Sequence, residues 1–142
     1  MRVSELGRRA QVSPEIIRYY TRIGLLKPSR DPENGYRIFS DADLKRIHFI
    51  RRSKRLGYTL AEIAEILRVS SKGKSPCPKV REIIQRRIKE NRNELEELTA
   101  LQARMENALA QWKTMPDGIP DGDSICHLIE SANGLQKKYL DL

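Results

Sequence analysis

The chain has 142 residues, with 27 Lys and Arg against 19 Asp and Glu, a formal charge of +8. That length suits one domain, or a small domain with an appendage, and the basic balance favours an anionic partner. No apolar run approaches a membrane span, and the N-terminal MRVSELGRR has no signal-peptide core, so a cytoplasmic protein with no membrane partner is expected. Residues 1–70 hold 15 Lys and Arg against 8 Asp and Glu, a net of +7; residues 71–142 hold 12 against 11, a net of +1. The electrostatic footprint therefore belongs to the N-terminal half. The two cysteines, Cys77 and Cys126, are too few and too far apart for a secreted disulfide framework. They read as cytosolic thiols, available for reactivity or for metal binding.

The chain opens with a short helix, Glu5 to Ala10, capped by Ser4 and presenting Val3, Leu6 and Ala10 on one face. Ser13 caps a second helix that starts at Pro14 and runs to Ile23, where Gly24 stops it. Two short helices joined by a tight turn match a helix-turn-helix, although many such hairpins bind nothing. The exposed residues of the second helix include Arg18, Tyr19, Tyr20 and Arg22, which suit phosphate or base-edge contacts. From Lys27 to Phe39 the Asn34-Gly35 turn signal and the alternation of Tyr36 to Phe39 predict a small two-stranded wing carrying Arg30, Tyr36 and Arg37. The plainer alternative is a basic loop.

Ser40 caps a third helix, Asp41 to Leu56, acidic in its first turn and basic in its last, as the helix dipole favours. Leu44, Ile47, Phe49, Ile50 and Leu56 are its expected core contacts; Arg51, Arg52, Lys54 and Arg55 form a patch for phosphate backbone. After Gly57, Thr59 and Glu62 form a capping box for a fourth helix, Leu60 to Val69, with Leu60, Ile63, Ala64 and Leu67 inward. The segment Ser70 to Pro78 reads as a loop, with Cys77 at its end. A thiol held at a helix N-terminus has its thiolate favoured, although a lone cysteine also serves as a small hydrophobe.

Lys79 to Lys113 contains no proline or glycine and predicts one helix of roughly 50 Å. Alternate steps of four and three residues give Ile84, Ile88, Asn91, Leu95, Leu98, Gln102, Met105, Leu109 and Trp112. This heptad seam is apolar except at Asn91 and Gln102, which suit the setting of register and strand number. It predicts dimerisation through a coiled coil over membership of a monomeric bundle, since no later segment is long enough to cover it. Beyond Pro116 the sequence forms a turn-rich loop whose aspartates lack the calcium-binding spacing, and then a short helix at about Ile125 to Ser131. Cys126 and His127 are donors for soft or zinc-like ions.

The run from Ile16 to Leu67 carries I-R-Y-Y before G-L-L, then N-G-Y-R, then D-L-x-R-I-x-F-I-R, then L-G-Y-T-L-x-E-I. In this order and spacing it closely resembles the DNA-binding domain of the MerR family of bacterial transcription regulators. The resemblance is dense over residues 1–70 and extends through the long helix. It implies a mainly α fold: a winged helix-turn-helix DNA-binding domain over 1–70, a linker over 71–78, a long antiparallel coiled-coil dimerisation helix over 79–113, and an effector loop, short helix and tail over 114–142. It further implies a homodimer that grips a pseudo-palindromic double-stranded promoter and distorts its over-long spacer for bacterial RNA polymerase. Carried over by position, Arg18, Tyr20, Tyr36 and Arg37 are the implied DNA contacts, joined by Arg52 and Arg55 on the third helix, with Tyr19 as an alternative core residue.

The family's metal-sensing members place one cysteine at the start of the dimerisation helix and a pair in the loop after it, the first acting across the dimer. Cys77 matches the first position and Cys126 the last, which implies a divalent thiophilic ion such as Zn, Cd, Pb or Hg. The middle cysteine is absent here. Two thiolates alone suit Hg(II) or a similar ion, whereas tetrahedral Zn(II) needs further ligands such as His127. The same two cysteines fit a thiol-redox or electrophile sensor, and an effector-free DNA-binding protein is the third possibility. No enzyme is expected, because the chain shows no paired carboxylates on a pocket framework, no phosphate-cradling loop and no nucleophile with a base. The large C-terminal domain of drug-sensing relatives has no counterpart, so an organic effector is not expected.

Overall fold

A computed structural model describes residues 1–132. Its elements run α1 (Val3–Ala10), α2 (Pro14–Arg22), β1 (Ser29–Arg30), β2 (Arg37–Ile38), α3 (Asp41–Arg55), α4 (Leu60–Ser71), α5 (Cys77–Trp112) and α6 (His127–Glu130). The chain divides into two compact units, Met1–Arg87 and Ile88–Leu142.

The first unit is organised by apolar side chains from every one of its helices. Leu6, Ile17, Leu26, Phe39, Ile47, Ile50 and Ile63 are each less than 2 % exposed. Local chemistry sets where the helices begin. Ser13 Oγ accepts the Ile16 N–H at 3.4 Å, and Pro14 takes the first turn of α2, where its missing donor is harmless. In α3, Ser40 Oγ accepts the Asp43 N–H while Asp43 Oδ2 accepts the Ser40 N–H, a reciprocal capping box. Thr59 and Glu62 repeat that arrangement at α4. Gly7 lies where α1 meets the following turn; a Cβ there would stand 3.0 Å from the Val12 carbonyl oxygen and 3.5 Å from Ile17 Cδ1.

β1 and β2 pair antiparallel, Ser29 opposite Ile38 and Arg30 opposite Arg37. This is the wing. Its base is stitched to the start of the chain: the Phe39 N–H donates to the Met1 carbonyl at 2.7 Å, and the Met1 amino group donates to the Phe39 carbonyl at 2.7 Å. Arg46 Nε donates to the Leu25 carbonyl, which ties α3 to the segment between α2 and the wing.

Several expected boundaries and faces differ. α1 starts at Val3 with Arg2 as N-cap, so Ser4 lies inside the helix rather than capping it. α5 begins at Cys77, because Pro78 is tolerated in a first turn, and the connection from α4 shrinks to residues 72–76. On α3, Phe49 and Leu56 are 39 % and 64 % exposed instead of packed, since the buried face is set by Asp43, Ile47, Ile50 and Ser53. On α4, Ile66 takes the inward place expected of Ala64.

The first turns of α5 belong to the first unit. Ile83 is 5 % exposed within its core, Val80 and Ile84 pack beside it, and Tyr58 OH donates to the Val80 carbonyl at 2.8 Å. Ile84 therefore contributes to this core as well as to the expected seam. In the second unit, the rest of α5 leaves Ile88, Leu95, Leu98, Met105 and Leu109 between 51 % and 63 % exposed. Asn91 is exposed on the same stripe, as is Gln102, whose side chain donates to Glu106 one turn on.

Truncating a side chain in the isoleucine core removes packing that no neighbour replaces. Ile47→Ala is expected to cost about 2–5 kcal/mol of unfolding free energy, read from the urea midpoint of the N-terminal unit's transition.

Candidate nucleic-acid interface and effector loop

α2, the wing and the residues before α1 meet around one open hollow lined by Arg2, Arg18, Arg30, Tyr36 and Arg37, with no carboxylate in its lining. Four guanidinium groups on three separate segments thus face one space. Arg2 and Arg30 are each held by a defined contact. Arg2 stacks its guanidinium 4.3 Å from the centre of the Tyr36 ring, a cation–π contact that fixes the ring on the wing. Arg30 donates from Nη1 to the Gly35 carbonyl at 2.9 Å, bracing the turn. The turn is shaped by Asn34 Oδ1 accepting the Tyr36 N–H and by Gly35 at a φ of +73°. Arg18 stands exposed on α2.

The two tyrosines of α2 exchange their expected places. Tyr20 is 5 % exposed, one helical turn after buried Ile17, and belongs to the core. Tyr19 is 40 % exposed, with the Arg22 guanidinium 5.2 Å from its ring centre. Arg52, Lys54 and Arg55 are exposed on α3, and none of them lines the hollow. Arg2 was not a candidate in the sequence, because its role depends on a ring 34 positions away.

The second site-bearing segment follows α5. Residues from Pro116 to Leu128 fold around an open hollow whose lining includes Asp117, Asp121, Cys126 and His127. The expected helix at Ile125 to Ser131 is shorter, His127–Glu130, with Cys126 as its N-cap residue in extended conformation. Glu130 organises the loop from behind: its carboxylate accepts Ser124 Oγ at 2.8 Å, the Cys126 N–H at 2.9 Å and the Ile125 N–H at 3.2 Å. The Ser124 hydroxyl first, then the Ile125 N–H, hold its carboxyl below the usual carboxylate range. Asp121 Oδ1 accepts the Asp123 N–H at 2.7 Å, so these aspartates do form turns.

His127 is less available than its sequence position suggests. Its Nε2 lies 2.9 Å from the Pro116 carbonyl oxygen, which fixes that nitrogen as the protonated donor and leaves Nδ1 for any other partner. The ring also lies against the backbone of Gly118, where a Cβ would approach Cδ2 to 2.2 Å. Cys126 is half-buried and Cys77 exposed, both as free thiols. Among the described residues no three His, Cys, Asp or Glu side chains gather in a way that could hold a metal ion.

Residues 1–69 match the family model for the MerR HTH family regulatory protein, and residues 44–108 match the model described as MerR, DNA binding. The chain belongs to the MerR family. Members of this family are transcription regulators, not enzymes. The mercuric resistance operon regulatory protein of Bacillus cereus is 33 % identical over 132 residues, which cover 92 % of this chain and 95 % of that protein. A transcription regulator from Ralstonia metallidurans, solved in complex with lead(II), is 26 % identical with a TM-score of 0.73. A dual-function MerR of Bacillus megaterium, solved with a mercury(II) ion, is 29 % identical with a TM-score of 0.56. Each alignment covers 92 % of this chain and 98 % of the solved one. The MerR-type fold, a winged helix-turn-helix followed by a long helix, is therefore shared. Among the described residues no helix is long and apolar enough to cross a membrane.

Because Glu130 alone satisfies two backbone donors around the loop thiol, Glu130→Ala is expected to raise amide exchange at Ile125 and Cys126 by about fivefold or more, with α3 unchanged; exchange mass spectrometry reads both.

Proposed function

We propose that the chain works as a homodimeric promoter switch whose effector is a thiophilic metal ion held by cysteines of both copies. One observation carries the reading: a single chain joins an arginine-lined hollow on its helix-turn-helix and wing to thiols at the start of its long helix and in the loop beyond it. The exposed stripe of Ile88, Leu95, Leu98, Met105 and Leu109 supports pairing of two copies, since a seam of that length is covered in water by a second helix. Asn91 and Gln102, polar within it, are suited to fix register and antiparallel direction.

On DNA, Arg18, Tyr36 and Arg37 take the phosphate backbone, with Arg2 and Arg30 completing the same positive hollow. Tyr19 replaces Tyr20 as the α2 tyrosine able to reach the duplex. Arg52 and Arg55 serve phosphates along α3. Two such units in one dimer read a pseudo-palindrome, and a change in their separation distorts the promoter spacer presented to RNA polymerase. A promoter partner places this work in the cytoplasm.

The donor set narrows the effector. Two thiolates, Cys77 of one copy and Cys126 of the other, fit a soft ion of low coordination number such as Hg(II). Zn(II), Cd(II) or Pb(II) would call on additional donors, of which His127 offers only Nδ1. The naming of one relative for mercuric resistance, and the lead(II) and mercury(II) bound in two solved relatives, support a metal ion as the effector class. Cys77 of one copy and Cys126 of the other would hold the ion, and a thiolate–metal link of that kind would bias the dimer toward one of two arrangements. Glu130 keeps the loop in shape around Cys126, and α5 carries Cys77 at its first position. The missing middle cysteine keeps thiol oxidation of the same Cys77 and Cys126 as a second reading.

Two measurements test this. Arg18→Ala is expected to weaken binding of a duplex selected by the protein from a random pool by about tenfold at matched salt, with the dimer intact by sedimentation; unchanged binding rejects the recognition surface. For the reduced dimer, titration with Zn(II), Cd(II), Pb(II), Hg(II) and Cu(I) is expected to find one tightly bound ion, lost in Cys77→Ser and in Cys126→Ser. Failure of every ion to bind, together with an oxidative Cys77–Cys126 link, selects the thiol sensor.

A further inference from the structure

The start of α5 and the corner between α3 and α4 share a single carboxylate. Glu62 Oε1 accepts the Thr59 N–H at 2.8 Å and so closes the α4 capping box. Its other oxygen, Oε2, accepts Arg87 Nη2 at 2.7 Å and Arg86 Nη2 at 3.4 Å, both from α5. Arg87 also donates from Nη1 to the Gly57 carbonyl at the end of α3. The Glu62 and Arg87 side chains are 15 % and 24 % exposed, so water and salt screen this pair less than an open surface pair.

We propose that Glu62 is a positioning residue that makes the first turns of α5, Cys77 included, move as one body with the DNA-binding helices. The cap bond at Oε1 fixes the carboxylate to α4, so whatever sits on Oε2 is registered against α4 as well. Charge-assisted bonds of this kind are short and directional, and a shift of α5 by 1–2 Å, about the size of interface helix shifts in switching proteins, takes Arg87 out of range. The pair therefore has a latched and an unlatched arrangement. The cap bond from Thr59 first, and Arg87 after it, hold the Glu62 carboxyl below its ordinary value of 4.5, which keeps the latch charged at neutral pH. This inference rests on the metal reading only for what moves α5; the latch itself is a property of the free protein.

Glutamine separates the two duties of Glu62. In Glu62→Gln the side-chain oxygen still accepts the Thr59 N–H, but an amide NH2 then faces the Arg87 guanidinium, donor against donor. Hydrogen exchange on the full-length, DNA-free protein is expected to rise about tenfold over residues 80–87 while residues 60–70 stay within about twofold. Arg87→Gln should reproduce that pattern, and Thr59→Ala should give the reverse, opening the start of α4 alone. Unchanged exchange over 80–87 in Glu62→Gln overturns the proposal, and so does parallel opening of both segments, which marks a merely structural role. A second arm adds Hg(II). Wild type is expected to show metal-linked exchange changes over residues 14–39, and Glu62→Gln to bind the ion equally tightly without them. Persistence of those changes in Glu62→Gln also overturns the latch. Their absence from wild type rejects the metal reading instead, and the metal-free arm still decides the latch.

Discussion

A helix of 36 residues cannot bury its own apolar stripe. α5 meets that constraint at its start by giving Val80, Ile83 and Ile84 to the N-terminal core, where Tyr58 and Glu62 hold its backbone and its arginines. From Ile88 onward the stripe has no such partner among the described residues and stays half open to water. The same helix is thus a core element at one end and an unsatisfied surface at the other. The change falls where the two compact units divide, at Arg87 and Ile88. A helix built this way leaves an apolar stripe suited to a second copy, as the proposed dimer requires.

The arginine-lined hollow shows the opposite economy of construction. No single element supplies its charge: one arginine precedes α1, one lies on α2 and two are on the wing. Like charges drawn together repel, and the fold holds them with neutral contacts instead of carboxylates. Arg2 rests on a tyrosine face, and Arg30 donates to a backbone carbonyl. Their positive charge meets no carboxylate in the lining of the hollow, which suits the phosphodiester proposed to bind there.

What the sequence made legible was local. Thr59 and Glu62 lie three residues apart, so their capping box can be read directly from the chain, as can the Ser40 cap and the Asn34-Gly35 turn. The uninterrupted run after Lys79 likewise announces a long helix. Faces were harder. Tyr19 and Tyr20 are neighbours of one type, and only the placement of Ile17 against the rest of the core decides which is buried. Leu56 is apolar yet 64 % exposed, because it ends α3 after the last core turn. In the loop after α5, Glu130 works through donors four to six residues before it, outside any capping-box spacing.

The contact between Gly118 and the His127 ring bears on how the loop tolerates change. With Cδ2 only 2.2 Å from where a Cβ would sit, even alanine at 118 requires the imidazole or the loop backbone to shift from the position that gives its bond to the Pro116 carbonyl. A residue with no side chain thereby sets the position of one that has a titratable ring. Any effect of substitution at position 118 therefore comes through the His127 ring, since the position itself offers no donor to any ligand. Such an effect measures steric room, not chemistry.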